Sequence, residues 1–183
     1  MMKKVLKKIA IVVVGLVLAV LAFATTKPST LHVERSTVIQ APPDAIRPLI
    51  NDFHNWTSWS PYEKRDPALK RTFSGITAGK GAVYEWNGNS EVGSGRMEIL
   101  DTTPSSTRIK LDFIEPFEGH NTAEFSLEPA RNATTVRWSI DGPNTYLSKV
   151  ICVFIDMDQM IGKDFEAGLA NMKAVSESKR RES

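Results

Sequence analysis

The chain of 183 residues sets 23 lysines and arginines against 21 aspartates and glutamates, a net charge of +2 at pH 7. Lys3, Lys4, Lys7 and Lys8 open it and Lys179, Arg180 and Arg181 nearly close it, so the stretch between is slightly acidic and lacks the basic footprint of a nucleic-acid binder. Its hydrophobic content of 42% is ordinary for a globular domain, and a single cysteine, Cys152, excludes an intrachain disulfide and a cysteine-based metal cluster.

Residues 1–8 form a basic flank. Residues 9–24, IAIVVVGLVLAVLAFA, hold no charged or polar side chain. Counted from Val5, the segment is long enough to span the hydrocarbon core as a helix. The lysines ahead of it place the N-terminus in the cytoplasm and everything after Thr25 outside. Ala22-Phe23-Ala24 also fits the small-x-small pattern of a cleaved signal peptide. The uncleaved single-pass anchor in the inner (cytoplasmic) membrane is favoured; secretion after cleavage is the alternative. Residues 25–30, with Pro28, read as a short tether that keeps the following domain close to the outer face.

Leu31 to Gln40 alternates and is β-branched, as in a strand. Pro42 and Pro43 stop it, and Pro43-Asp44 opens a short helix with Ala45, Ile46, Leu49 and Ile50 on its apolar side. A helical turn is expected from Asp52 to Trp56, then a loop, WTSWSPYEKRDP, that holds half of the four tryptophans. Period-two patterning then predicts strands at Leu69–Phe73, Ala82–Trp86, Glu91–Leu100, Thr107–Ile114, Thr122–Leu127 and Thr134–Ile140. Gly93 and Gly95 predict a bulge. Asn144 or Thr145 caps a long amphipathic helix, expected from Tyr146 to about Glu177 without interruption. Its apolar stripe is Leu147, Ile151, Phe154, Met157, Ile161, Phe165, Leu169 and Met172. A sheet with one apolar face needs a cover, and this helix is the only element long enough to supply it.

This order resembles the SRPBCC (START-like, helix-grip) superfamily, in its polyketide cyclase/dehydrase-like branch. The residues that carry the likeness are HVERSTVIQAPPDAIRPLINDFHNWTSWSPYEK (32–64), GAVYEWNGNSEVGSGRMEI (81–99) and DFEAGLANMK (164–173). The resemblance implies an α+β helix-grip fold over residues 31–175, a curved seven-stranded antiparallel sheet around the C-terminal helix, followed by a polar tail at 176–183. It also implies a hydrophobic cavity between sheet and helix that binds a hydrophobic small molecule or lipid. It implies no reaction, because the superfamily mixes carriers, sensors and enzymes.

Catalytic signals are sparse. His32, His54 and His120 are scattered, no metal-ligand spacing occurs, and no cofactor is implied. Asp52 with His54, and Asp156 with Asp158, read as capping or solvated pairs. Gly93-x-Gly95 lacks the rest of a dinucleotide loop, and Cys152 reads as an inert helix thiol. Trp59, Tyr84, Trp86 and Phe113 are expected to line the cavity, with Trp56 plugging the core and Trp59 at the mouth. Phe154 and Met157 are expected on the helix face beneath the sheet, completing the lining. The enzyme alternative, a polyketide cyclase/dehydrase-like activity on a bound aromatic or acyl substrate, would need a polar pair in the cavity, with Glu85, Glu98, Asp112 or His120 as its members. A third class, a stress-linked interaction module, would have a solid core instead.

Overall fold

The computed structural model describes residues 2–181, with only the backbone at Met2 and over residues 179–181. Met1 and the last two residues of the expected polar tail lie outside the described residues. Helix α1 (Met2–Ala24) precedes β1 (Thr30–Ile39) and α2 (Pro43–Asn51). Two 3-10 turns, Phe53–Ser58 and Pro61–Lys64, occupy the tryptophan-rich loop. The strands β2 (Lys70–Gly75), β3 (Ala82–Asn87), β4 (Ser94–Thr102), β5 (Ser106–Glu115), β6 (Gly119–Ala130) and β7 (Ala133–Pro143) follow, then α3 (Tyr146–Ile151) and α4 (Met157–Arg181). All strand pairings are antiparallel, in the order β1-β7-β6-β5-β4-β3-β2. The α+β helix-grip architecture is therefore as the resemblance implied.

Alternation sets the two faces of this sheet. On β5 to β7 the inward set is Ile109, Leu111 and Phe113, then Ala123, Phe125 and Leu127, then Val136, Trp138 and Ile140, as expected. The register of β4 against β5 shifts between Ser94 and Gly95, where the glycines predicted a bulge. The opposite hairpin signal, Asn87-Gly88, closes a wider turn in which the Gly88 amide donates to the Gly93 carbonyl at 2.9 Å.

The C-terminal helix departs from expectation. It is broken at Cys152–Asp156, and the two pieces do different things. Thr145 caps α3 by accepting from the Ser148 amide. Asp156 accepts the Gln159 amide at 3.0 Å and so starts α4 anew. The hydrophobic period runs through the break, which is why the sequence reads as one helix. Phe154, expected under the sheet, sits in the intervening turn and is 73% exposed.

Helix α4 packs on β1 and β7 and against α2 and both 3-10 turns. Phe165 stacks on Trp138 with ring centroids 4.0 Å apart, a full burial worth about 1.5–3 kcal/mol. Leu169 and Met172 continue the contact, both fully buried. Gly168 lets the helix approach: a Cβ there would lie 2.8 Å from the Trp138 ring. Arg35 of β1 reaches across to Asp158 and Glu166, each at 2.9 Å.

Candidate ligand-binding site

The tryptophans of the loop are core, and the 3-10 geometry explains why. Side chains three apart eclipse on such a helix, so Phe53 and Trp56 turn inward together; Trp59, the C-cap residue whose amide donates to the Trp56 carbonyl, follows them, and all three are buried. Trp59 is 0% exposed. It packs on Trp56 at 4.9 Å, Trp138 at 5.5 Å and Phe125 at 5.9 Å, and its indole N–H donates to the Leu49 carbonyl at 2.8 Å. It does not border a mouth, as the sequence reading expected; the space beneath α4, β7 and β6 is filled by these rings.

The other half of the concave face is different. Its inward residues are Phe73 and Arg71 on β2, Tyr84 and Trp86 on β3, Gly95 and Met97 on β4, and Leu111 and Phe113 on β5. The register aligns them in two rows, Phe73–Tyr84–Met97–Leu111 and Arg71–Trp86–Gly95–Phe113. Among the described residues α4 packs chiefly on β1 rather than on these strands, and Arg71, Phe73, Trp86, Leu111 and Phe113 stay half-buried. The rings form a ladder: Phe73 to Tyr84 at 5.2 Å, Tyr84 to Trp86 at 6.0 Å, and Trp86 edge-on to Phe113 at 6.0 Å. Gly95 makes the floor possible, because a Cβ there would sit 2.4 Å from the Trp86 indole. The Trp86 N–H is taken by the Val92 carbonyl at 3.1 Å, which fixes the ring. Tyr84 and Met97 are themselves buried in the core, and the part-exposed apolar surface on this half is the patch of Phe73, Trp86, Leu111 and Phe113.

One end of this patch is polar. The Tyr84 hydroxyl donates to Glu63 Oε1 at 2.7 Å, and Arg71 Nε donates to Glu63 Oε2 at 2.6 Å. Glu63 is held by the second 3-10 turn, and both its oxygens are engaged. Burial and the bond to Glu63 together push the Tyr84 phenol well above its usual range, so it stays a neutral donor. Burial, then the carboxylate of Asp164, pushes Tyr62 up in the same way. This end can orient a polar group but offers no free base. The sequence reading missed Glu63 and Arg71. Arg71-x-Phe73 carries the alternation that would have placed Arg71, whereas nothing local marks Glu63.

Of the six residues expected at the site, the fold brings together Tyr84, Trp86 and Phe113. Met157, half-buried in the first turn of α4, shares a helix face with Ile161 and Asp164, the face that turns toward the second 3-10 turn. Phe154 and Trp59 are placed elsewhere, as described. The four polar candidates are corrected as a set. Where Tyr84, Trp86, Met97 and Phe113 point inward, Glu85, Glu98 and Asp112 point outward by the period of two, and His120 lies opposite Asp112. They belong to an outer-face ion-pair ring: Arg96 with Glu98 at 2.8 Å and Glu85 at 3.8 Å, and Asp112 with Lys110 at 2.8 Å and His120 at 2.7 Å. Desolvation would raise the Asp112 carboxyl, but the bonds from Lys110 and His120 outweigh it and hold the group low. The same Asp112 bond raises His120.

Residues 30–177 match the family described as polyketide cyclase / dehydrase and lipid transport. Solved structures share the fold at low identity. The Zhui aromatase/cyclase from a Streptomyces species is 14% identical with a TM-score of 0.59, over 81% of this chain and 94% of that one. A protein of unknown function from Staphylococcus aureus is 12% identical with a TM-score of 0.62, over 83% and 96%. Major latex-like protein 151 from Panax ginseng is 14% identical with a TM-score of 0.58, over 81% and 99%. No curated protein matches the chain.

Proposed function

The chain belongs to the polyketide cyclase / dehydrase and lipid transport family, and from that premise we propose that it is a binding module for a hydrophobic small molecule or lipid. Its fold supports a ligand-binding domain. The observation that carries the reading is the half of the concave face that α4 leaves uncovered, with Trp86, Leu111 and Phe113 half-buried around a glycine floor. Ligand sites are mostly apolar walls with a few fixed polar groups, and Arg71, half-buried and held by Glu63, would supply one at one end. Met157 and Ile161 would form the helix-side wall. The outward position of Glu85, Glu98, Asp112 and His120 removes the set that favoured the enzyme reading.

The deciding experiment is native mass spectrometry of the full chain extracted in mild detergent. A co-purifying apolar mass is expected on the parent, lost in Phe113→Asp and kept in Asp112→Asn, its outward neighbour. A parent that carries no mass under any extraction, or a mass that survives Phe113→Asp, would remove this reading.

Placement at the outer face of the inner membrane is part of the proposal. Helix α1 is long and apolar enough to cross a bilayer and has none of that stretch buried, a property it would share with a signal sequence. An alkaline phosphatase fused to the C-terminus is expected to be active in a bacterial host, and the mature mass is expected to retain residues 1–24. An inactive fusion would sink the export reading, and loss of residues 1–24 would mean cleavage.

A further inference from the structure

The strand registers put Thr30, Pro143, Gly119, Glu115 and Ser94 at one end of the sheet. Helix α1 enters at that end and is fastened there. The Asn144 side chain donates to the Pro28 carbonyl at 3.0 Å and its amide to the Ser29 carbonyl at 2.8 Å. The Tyr146 hydroxyl donates to the Leu21 carbonyl at 3.0 Å, and α3 packs on α1. The tether is therefore a bracket between the apolar helix and this end of the domain, not a leash.

The exposed large apolar side chains are distributed unevenly. Outside α1, and among the described residues, they are Ile114, Phe117, Tyr146, Leu147, Phe154, Ile155 and Met160 on one hand, and Val38, Ile76 and Leu100 on the other. The first seven lie on the β5–β6 hairpin, on α3, on the turn after it and on the first turn of α4. Asp158 binds Arg35 while Lys173 Nζ binds the Val38 carbonyl, so α4 runs in the direction of β1 and begins in the half of the sheet nearer that end. Val38, Ile76 and Leu100 lie near the far end. Single exposed apolar residues need no explanation, but a group gathered at one end of the sheet marks a candidate contact site.

We propose that this rim is a second membrane contact: α3, the turn at Cys152–Asp156 and the β5–β6 hairpin sit in the interfacial layer of the outer leaflet, next to the point where α1 emerges. The inference rests on the reading of α1 as a membrane anchor. Continuity with that helix identifies the occupant as a lipid surface. Tyr146, an interfacial residue type, joins the two directly. Glu115, Glu118 and Asp156 are interspersed with Lys149 and Lys163, so the contact is made by apolar insertion and does not need anionic lipid. Trp86, Gly95 and Phe113 lie within two residues of this same end, next to Asn87, Ser94 and Glu115. The aromatic patch thus lies beside the leaflet, and its ligand class is an acyl chain or similarly apolar molecule drawn from the bilayer.

The test uses the full chain in phosphatidylcholine vesicles, labelled at its one thiol, Cys152, with nitrobenzoxadiazole. A shallow spin-labelled lipid is expected to quench the label and aqueous iodide to fail, at both low and high salt. Phe117→Asp with Phe154→Asp, both at exposed positions, is expected to abolish lipid quenching and restore iodide quenching while the chain still floats with the vesicles. A parent that floats but whose label answers to iodide alone overturns the rim contact and leaves the anchor standing. A label shielded from both quenchers, together with a cross-linked pair of chains, means that a second copy covers the rim and also overturns it. If the chain does not float at all, the anchor reading falls and the rim contact with it.

Discussion

Replacing Trp59 by phenylalanine keeps an aromatic ring and removes two things. The ring is fully buried among Trp56, Phe125 and Trp138. A smaller ring gives up on the order of 50 Å² of apolar burial, or about 1.3 kcal/mol at 25 cal/mol per Å². The indole N–H that meets the Leu49 carbonyl at 2.8 Å is also lost. Stranding that buried carbonyl costs about 1–3 kcal/mol. The sum is a loss of about 2–4 kcal/mol, a large share of the roughly 5–15 kcal/mol by which domains are stable. Trp86→Phe is the comparison: Trp86 is half-buried, so it gives up less apolar area, and the bond it loses, to the Val92 carbonyl at 3.1 Å, lies in a part-buried site, which makes the expected loss smaller than at Trp59. Urea unfolding of the full chain in detergent, followed by near-ultraviolet circular dichroism, measures the first quantity. Binding of a naphthalene probe to the chain in nanodiscs, corrected for empty nanodiscs, measures the second. Trp59→Phe is expected to lose stability and keep probe affinity, and Trp86→Phe to lose less stability and change probe affinity. A Trp59→Phe protein within about half a kcal/mol of the parent, like an ordinary surface change, refutes the core assignment, as does a probe affinity that moves with Trp59 and not with Trp86.

Two further outcomes follow from the packing and the charges. Gly168→Ala gains about 1 kcal/mol of helix propensity but drives a Cβ to 2.8 Å from the immobile Trp138 ring, and overpacking costs about 1–3 kcal/mol; a net loss of about 1 kcal/mol is expected in urea melts. Gly162→Ala gains the same propensity and meets only the flexible end of Arg35, whose displacement offsets part of it, so it is expected to be neutral to about 1 kcal/mol more stable; equal effects at the two sites would contradict the placement of α4. His120 is raised by its bond to Asp112, so the pair's contribution is fully present below the unfolded pKa of about 6.5 and fades as pH rises through the folded value. The stability gap between the parent and His120→Asn should therefore narrow between about pH 5.5 and about pH 8.5, and a gap that widens would show the sign to be wrong.

The strands were legible because alternation is local and the inner face of β5 to β7 is uniformly apolar. The broken C-terminal helix was not, because its hydrophobic period passes undisturbed through Cys152–Ile155. The signals that end α3 are Asp156 as a cap and β-branched Val153 and Ile155, which weigh little against an eight-member stripe. Trp59 was misplaced although its signal was present. Phe53, Trp56 and Trp59 are three apart, and a 3-10 turn points such residues the same way; treating the segment beyond Trp56 as loop discarded that period. The outward polar set was equally readable. Putting Tyr84 and Trp86 inside commits Glu85 to the outside, and Phe113 does the same to Asp112.

The two halves of the concave face pack differently: one closes into core beneath α4, and the other keeps a part-exposed aromatic patch. Arg35, Gly162 and Gly168 draw α4 onto β1 and β7, and Phe165 then closes over Trp138. A helix held so far to one side cannot also cover β3 to β5. Those strands must then leave apolar surface half-exposed or have something else lie on it. Residue 95 is where a self-sealing sheet would place a side chain, and it is a glycine with the Trp86 indole lying across it. The result is an aromatic surface left part-exposed at Trp86 and Phe113, on which the proposed binding of an apolar molecule rests.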